Sequence, residues 1–213
     1  MAEKESKKKG FLGKFFQVLS GSPIASSTEN EEKGKFAPVE KEALDVRFVR
    51  NFTNSGGFFL YCGEMKEVFS AVEDIIAEHN LSAIGSPDKT LVGILEKGGV
   101  SKVQPNLDAC DTVCTYCEAL VALNGSIMIN EFQTKGVRID AMPKYHIVIA
   151  KTSQLVENLS GAMSKINQLY RNNRPMQITQ LKAPIDERVK LASADPNKDR
   201  TLFLLLIEDF SNA

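Results

Sequence analysis

The chain lacks tryptophan altogether and holds only two histidines and four cysteines in 213 residues, and each shortage closes off a class of chemistry. His79 and His146 alone leave little for a histidine-rich metal site or for general-base catalysis. Four cysteines are too sparse for the disulfide framework of a small secreted domain. The best apolar run, residues 202–207, falls far short of the ~20 residues that span a bilayer. An excess of one charge is missing too. Lys and Arg total 26 against 27 Asp and Glu, a net charge of −1, which argues against the strongly basic surface of a dedicated nucleic-acid binder. Nor is there a G-x-x-x-x-G-K-[ST], G-x-G-x-x-G, H-E-x-x-H or G-x-S-x-G motif, so no flavin, nicotinamide or other cofactor fingerprint is present. The expectation is a soluble, cytoplasmic chain.

What is present is ordinary globular material. Hydrophobic residues make up 43% of the chain, enough for one sizeable core plus an appendage. The appendage is expected at 1–38. Lys4, Lys7, Lys8 and Lys9 precede Phe11, Leu12, Phe15, Phe16 and Leu19, which share one face if helical. Lys14 and Gln17 break the apolar stretch that a signal peptide would need. Residues 4–19 read as a basic amphipathic arm suited to weak contact with an anionic membrane surface or to a partner groove, or as a disordered leader that packs its aromatics on the domain. Residues 20–38, rich in Ser, Glu, Lys and Gly, make a linker that cannot bury enough to order itself. A domain over 39–213 follows.

Within that domain helical and strand-like patterns alternate. Leu44, Phe48, Val49 and Phe52 recur at helical spacing before Gly56-Gly57, and 58–62 is a short apolar strand. Val68, Phe69, Val72, Ile75, Ile76 and His79 mark a second amphipathic helix ending at Asn80, with His79 placed to suit the helix dipole. A short helix is expected at 91–95, a strand at 112–115, a helical turn at 117–122 and strands at 127–130 and 145–150. Leu155 through Tyr170 reads as one helix capped by Thr152 or Ser153, and 201–207 as a closing buried strand. Strands apolar on both faces and separated by helices imply a mostly parallel sheet covered on both sides. The expected fold class is α/β.

Cys110, Cys114 and Cys117 carry the spacing of the radical-SAM iron–sulfur motif, with Tyr116 before the third cysteine. Three thiolates on one loop hold three irons of a [4Fe–4S] cluster. Such motifs need a long exposed loop, whereas these cysteines straddle strand-like residues. A zinc site would need Cys62 or His146 as a distant fourth ligand. Packing as small apolar residues is the simpler role, so no metal is expected.

A wider pattern covers the same segment. The stretch from Thr115 through Glu118 to Asn124-Gly125-Ser126-Ile127 resembles the block ending in TGT or TGS that marks the LUD (lactate-utilisation) domain of the LutC-like type. Arg138, Pro143, the run His146-Ile-Val-Ile-Ala-Lys and Ser153-Gln154-Leu155-Val156 are similar to that family's P-x-x-H-I-V-V and S-Q-I-V blocks. Phe48-Val49, Phe52 and Gly56-Gly57-Phe-Phe-Leu-Tyr-Cys62 resemble its short form. The resemblance runs from about residue 40 to the C-terminus. Two departures stand out: Asn124-Gly125-Ser126 replaces Thr-Gly-Thr, and a C-terminal G-P-S-x-T-A-D-I-E-like segment is missing. The resemblance implies a three-layer α/β fold like that of sugar-phosphate isomerases and CoA transferases. It also implies a place beside iron–sulfur partner proteins that oxidise L-lactate to pyruvate, with no redox cofactor in this chain. It supplies no settled catalytic residues.

From the residues themselves, Asn124-Gly125-Ser126 can aim backbone N–H groups at a small carboxylate or phosphate, or can simply be a tight turn with glycine at positive φ. Arg138 can clamp a carboxylate bidentately or stand as a salt-bridged edge residue. His146 and Glu118 can pair as base and orienter, or serve as satisfied core polar groups. Three functions stay open: an accessory subunit of a lactate-oxidising complex, a binding or transfer module for acyl-CoA, a carboxylate or a sugar phosphate, and an iron–sulfur protein through Cys110, Cys114 and Cys117.

Overall fold

The computed structural model describes residues 42–183 and 200–209, so the amphipathic arm and linker expected over 1–38 lie outside the described residues. Six strands form one sheet: β1 (Phe58–Cys62), β2 (Ile84–Gly85), β3 (Val103–Gln104), β4 (Thr112–Tyr116), β7 (Tyr145–Lys151) and β10 (Thr201–Ile207), in the order β1-β10-β7-β4-β2-β3. Every pairing in it is parallel, with Phe58 beside Phe203 and Thr201 and Thr112 flanking Tyr145. The central strands explain why: residues 202–206 of β10 and 146–150 of β7 are all buried, and a strand apolar on both faces needs cover on both.

One face is covered by α2 (Met65–Glu78) and α3 (Lys89–Lys97). Val68, Val72, Ile75, Leu91 and Leu95 pack there with Ile147, Ile149, Phe203 and Leu205. The helices start and stop as their sequences demand. Asp88 caps α3 by accepting from the Thr90 N–H at 2.9 Å, and Asn80, at φ 52°, ends α2. His79 occupies the α2 C-cap, its ring set among Phe58, Phe203 and Tyr145.

The opposite face is covered by α1 (Leu44–Asn54) and a second sheet, β8-β5-β6-β9, made of β5 (Ala119–Val121), β6 (Ser126–Asn130), β8 (Leu155–Val156) and β9 (Ile178–Leu181). Phe48, Phe52, Leu120, Ile127 and Ile129 meet Val113, Val148 and Leu204 in this core. On the far side of the small sheet lies α5 (Leu159–Leu169), which buries Ala162 and Ile166 against Ala119, Val121 and Met128. The α/β class and layered parallel sheet expected from the sequence are both present.

Two local expectations are corrected. Residues 117–122 are not a helical turn, because Ala119–Val121 is strand β5, paired antiparallel to β6 and parallel to β8; a run buried on both sides has no period to distinguish the two. The long helix does not begin near residue 155. Thr152–Gln154 is a 3₁₀ turn, Leu155–Val156 is strand β8, and α5 starts only after Asn158, whose side chain accepts from the Gly161 N–H at 2.9 Å. Thr152 and Ser153 cap nothing at α5. Among the described residues no helix is long and apolar enough to cross a membrane.

Candidate functional site

An opening lies where β6 ends. Asn130 closes the strand and caps the one-turn helix α4 (Glu131–Thr134): its side chain accepts from the Phe132 N–H at 2.8 Å, while Gln133 accepts from the Asn130 N–H at 2.8 Å. Lys135 and Gly136 at positive φ then reverse the chain, and a 3₁₀ turn, Ile139–Ala141, leads into β7. With β9 pairing beside β6, these segments enclose a cavity of about 440 Å³ whose walls include Ile129, Asn130, Thr134, Arg138, Asp140 and Thr179. Arg138 stands at the rim with its side chain 75% exposed. It grips Asp140 with both arms, Nε to Oδ1 at 3.0 Å and Nη2 to Oδ2 at 2.7 Å, which holds the Asp140 carboxyl below its ordinary range.

Behind the same turn lies a buried basic pair. Arg200 donates to the Pro143 carbonyl through Nη1 and to the Ile139 carbonyl through Nη2 at 2.5 Å, while its Nε has no partner. Burial lowers its pKa to about 10, against the pull of the Asp140 charge. His146 is fully buried on β7. Its Nε2 lies 2.7 Å from the Thr115 hydroxyl and its Nδ1 is unpartnered. Burial first, and then the Arg200 charge, drop its pKa to about 3, so the ring is neutral at physiological pH.

Glu118 forms a separate tie. Its Oε2 accepts from Asn130 Nδ2 at 3.0 Å, Gln133 Nε2 at 2.8 Å and the Tyr170 hydroxyl at 2.9 Å, joining β5, β6, α4 and the end of α5. Asn124, Gly125 and Ser126 sit at the other end of β6. Asn124 Oδ1 accepts from the Ser126 hydroxyl at 2.7 Å and from its N–H at 3.3 Å, and Gln180 donates to Ser126 Oγ at 2.5 Å. Gly125, at φ 62°, lies against α1 so closely that a Cβ would stand 2.3 Å from the Phe52 nitrogen.

The six candidate residues are thus not gathered into one place. Arg138 lines the cavity, Glu118 reaches it through Asn130, and His146 lies behind its wall with Arg200. The Asn124-Gly125-Ser126 turn is remote from them along β6. Sequence reasoning missed Asp140, Arg200, Asn130 and Gln133. For the last two a signal existed, since Asn-x-x-Gln at residues 130–133 fits a capping box.

The three spaced cysteines do not converge either. Cys114 packs with α2 and α3, Cys117 belongs to the core on the opposite face, and Cys110 lies beside Gly85 with its thiol donating to the Asn106 carbonyl at 3.3 Å. Burial pushes the Cys114 thiol up to about 12 and raises those of Cys110 and Cys117. Among the described residues no group of three His, Cys, Asp or Glu side chains is placed to hold a metal ion.

Fold and cavity together define a layered α/β protein whose parallel sheet carries a second sheet on one face and a polar, small-molecule-sized recess at that second sheet's edge. Residues 46–195 match the family model for the LUD domain, and the chain belongs to that family. Its fold is similar to the crystal structure of a DUF162 family protein from Deinococcus radiodurans, at a TM-score of 0.56 and 16% identity, covering 81% of this chain and 100% of that one. The comparison with curated proteins returns no match.

Proposed function

We propose that this chain is an accessory subunit of a cytoplasmic assembly that oxidises L-lactate to pyruvate, in which it holds a small carboxylate and its iron–sulfur partners carry the electrons. Membership of the LUD-domain family over residues 46–195 carries the reading. The cavity supports it in chemical terms: its volume of about 440 Å³ has room for a small acid, and a rim arginine presents the planar fork that matches a carboxylate. The dispersed, protonated thiols favour electron transfer in the partners. Deleting the gene should abolish growth on lactate, and the tagged chain should co-purify with iron–sulfur proteins. Normal growth on lactate after deletion would refute the reading.

A second reading, a binding or transfer module for acyl-CoA or a sugar phosphate, is favoured by a different observation. Arg171 and Arg174 are exposed in the loop leading to Gln177 in the cavity wall, and no ion pair engages them among the described residues. Two such cations suit a phosphate. Thermal-shift screening separates the two readings: stabilisation by acyl-CoA or a sugar phosphate, lost in Arg171→Ala/Arg174→Ala, would favour the second. Iron analysis of the anaerobically purified chain tests the third function class, and stoichiometric iron lost in Cys114→Ala would establish it.

A further inference from the structure

The turn over residues 137–143 carries more charge than its folding needs. An exposed ion pair two residues apart, such as Arg138 with Asp140, contributes little to stability. The turn is in any case pinned from the inside by Arg200, which donates to the carbonyls of Ile139 and Pro143. Arg200 is itself 2% exposed, its Nε–H has no acceptor, and among the described residues no carboxylate is in ion-pair contact with it. A buried guanidinium without a counter-charge is costly. Arg138 lines the cavity and Arg200 packs behind the turn, and Asp140, which shares the lining with Glu131, is ion-paired to the first and felt by the second.

We propose that Asp140 is an internal stand-in for the ligand carboxylate. Its two oxygens fill the guanidinium fork of Arg138 until a small carboxylate enters the cavity and takes the fork. The inference rests on reading the cavity as a carboxylate site, and adds which residue competes for it. The exchange replaces one carboxylate on Arg138 by another.

Titration calorimetry on the full chain tests this, with pyruvate, L-lactate and inorganic phosphate as probes against the parent, Asp140→Ala, Asp140→Asn and Arg138→Gln. Removing the competitor should tighten pyruvate or lactate binding about fivefold in both Asp140 variants, the upper end of what an exposed ion pair withholds, and Arg138→Gln should abolish it. A parent that binds a carboxylate through Arg138 while the Asp140 variants bind it no tighter would overturn the stand-in and leave the carboxylate site intact. No carboxylate binding by the parent or by either Asp140 variant would overturn both. A gain confined to phosphate would overturn the assignment to a carboxylate.

Discussion

Replacing Gly125 with alanine adds one methyl group at a place where the neighbouring atoms cannot yield. Gly125 has φ 62°, a conformation that costs a residue with a Cβ roughly 1–2 kcal/mol. The new Cβ would stand 2.3 Å from the Phe52 nitrogen, 2.4 Å from the Asn51 carbonyl carbon and 2.7 Å from the Phe52 Cα. These are backbone atoms inside α1, so relief requires the helix to back away from the core. Phe48 and Phe52 are both fully buried there, and full burial of such a side chain is worth ~1.5–3 kcal/mol. Losing part of two such contacts adds about 2 kcal/mol, for a total near 3–4 kcal/mol out of a typical stability of ~5–15 kcal/mol. At a urea m-value of ~2 kcal/mol/M the unfolding midpoint should fall by about 1.5–2 M. Gly93→Ala is the matched control, because no atom lies within 4 Å of its Cβ position in α3; it should gain up to ~1 kcal/mol from helix propensity. A Gly125→Ala midpoint equal to the parent's would refute the close approach, and with it the reading of this turn as a seat for α1.

Three further outcomes are expected. His146 is neutral in the fold, with its pKa held at about 3, so it binds fewer protons than in the unfolded chain; its contribution to stability should be flat above pH ~6.5 and fall by up to about 1.4 kcal/mol per pH unit as pH drops toward 3, so urea titrations of His146→Gln should show a shallower acid loss, the remainder coming from carboxylates such as Asp88 and Asp111 that the fold holds below their ordinary range. Glu118→Ala strands the donors of Asn130, Gln133 and Tyr170 together and should cost about 3 kcal/mol by urea denaturation, whereas Glu118→Gln, which keeps an acceptor, should cost less. Removing residues 1–20 should abolish flotation with anionic liposomes, and equal flotation of the full chain and the deletion would dismiss the arm as a membrane contact.

What was legible in the sequence followed from burial on two faces or from one clean period. The strands at 58–62, 145–151 and 201–207 are near-continuous apolar runs, and the helix through Val68, Val72, Ile75 and Ile76 keeps a single stripe. Strand β5 was lost because Ala119, Leu120 and Val121 are all buried, two facing α5 and one facing the other core, which leaves no polar position to mark the alternation. Strand β8 is indistinguishable in sequence from the helix that follows it because Leu155 and Val156 fall in phase with Leu159, and only the Asn158 cap marks the break between them. Strand β9 is half polar, so Ile178–Leu181 looks like loop until its pairing with β6 is seen. Arg138 was legible as a carboxylate clamp by residue type, but its partner Asp140 was not singled out. Arg200 follows a charged stretch and resembles a solvated residue. Only tertiary packing against Ile139 and Pro143 makes it an internal cation.

The strand order carries a consequence for biosynthesis. β10 is the last described strand to be made, yet it lies between β1 and β7, two of the strands made before it. Until it emerges, the FFLYC strand has no neighbour in the sheet, and the inner edge of β7 stays unpaired. The nascent chain therefore cannot lock its main sheet domain-first from the N-terminus, and a premature stop before residue 201 would release a protein with two open apolar edges rather than a shortened but sound one. Such a product is a natural substrate for chaperones and proteases.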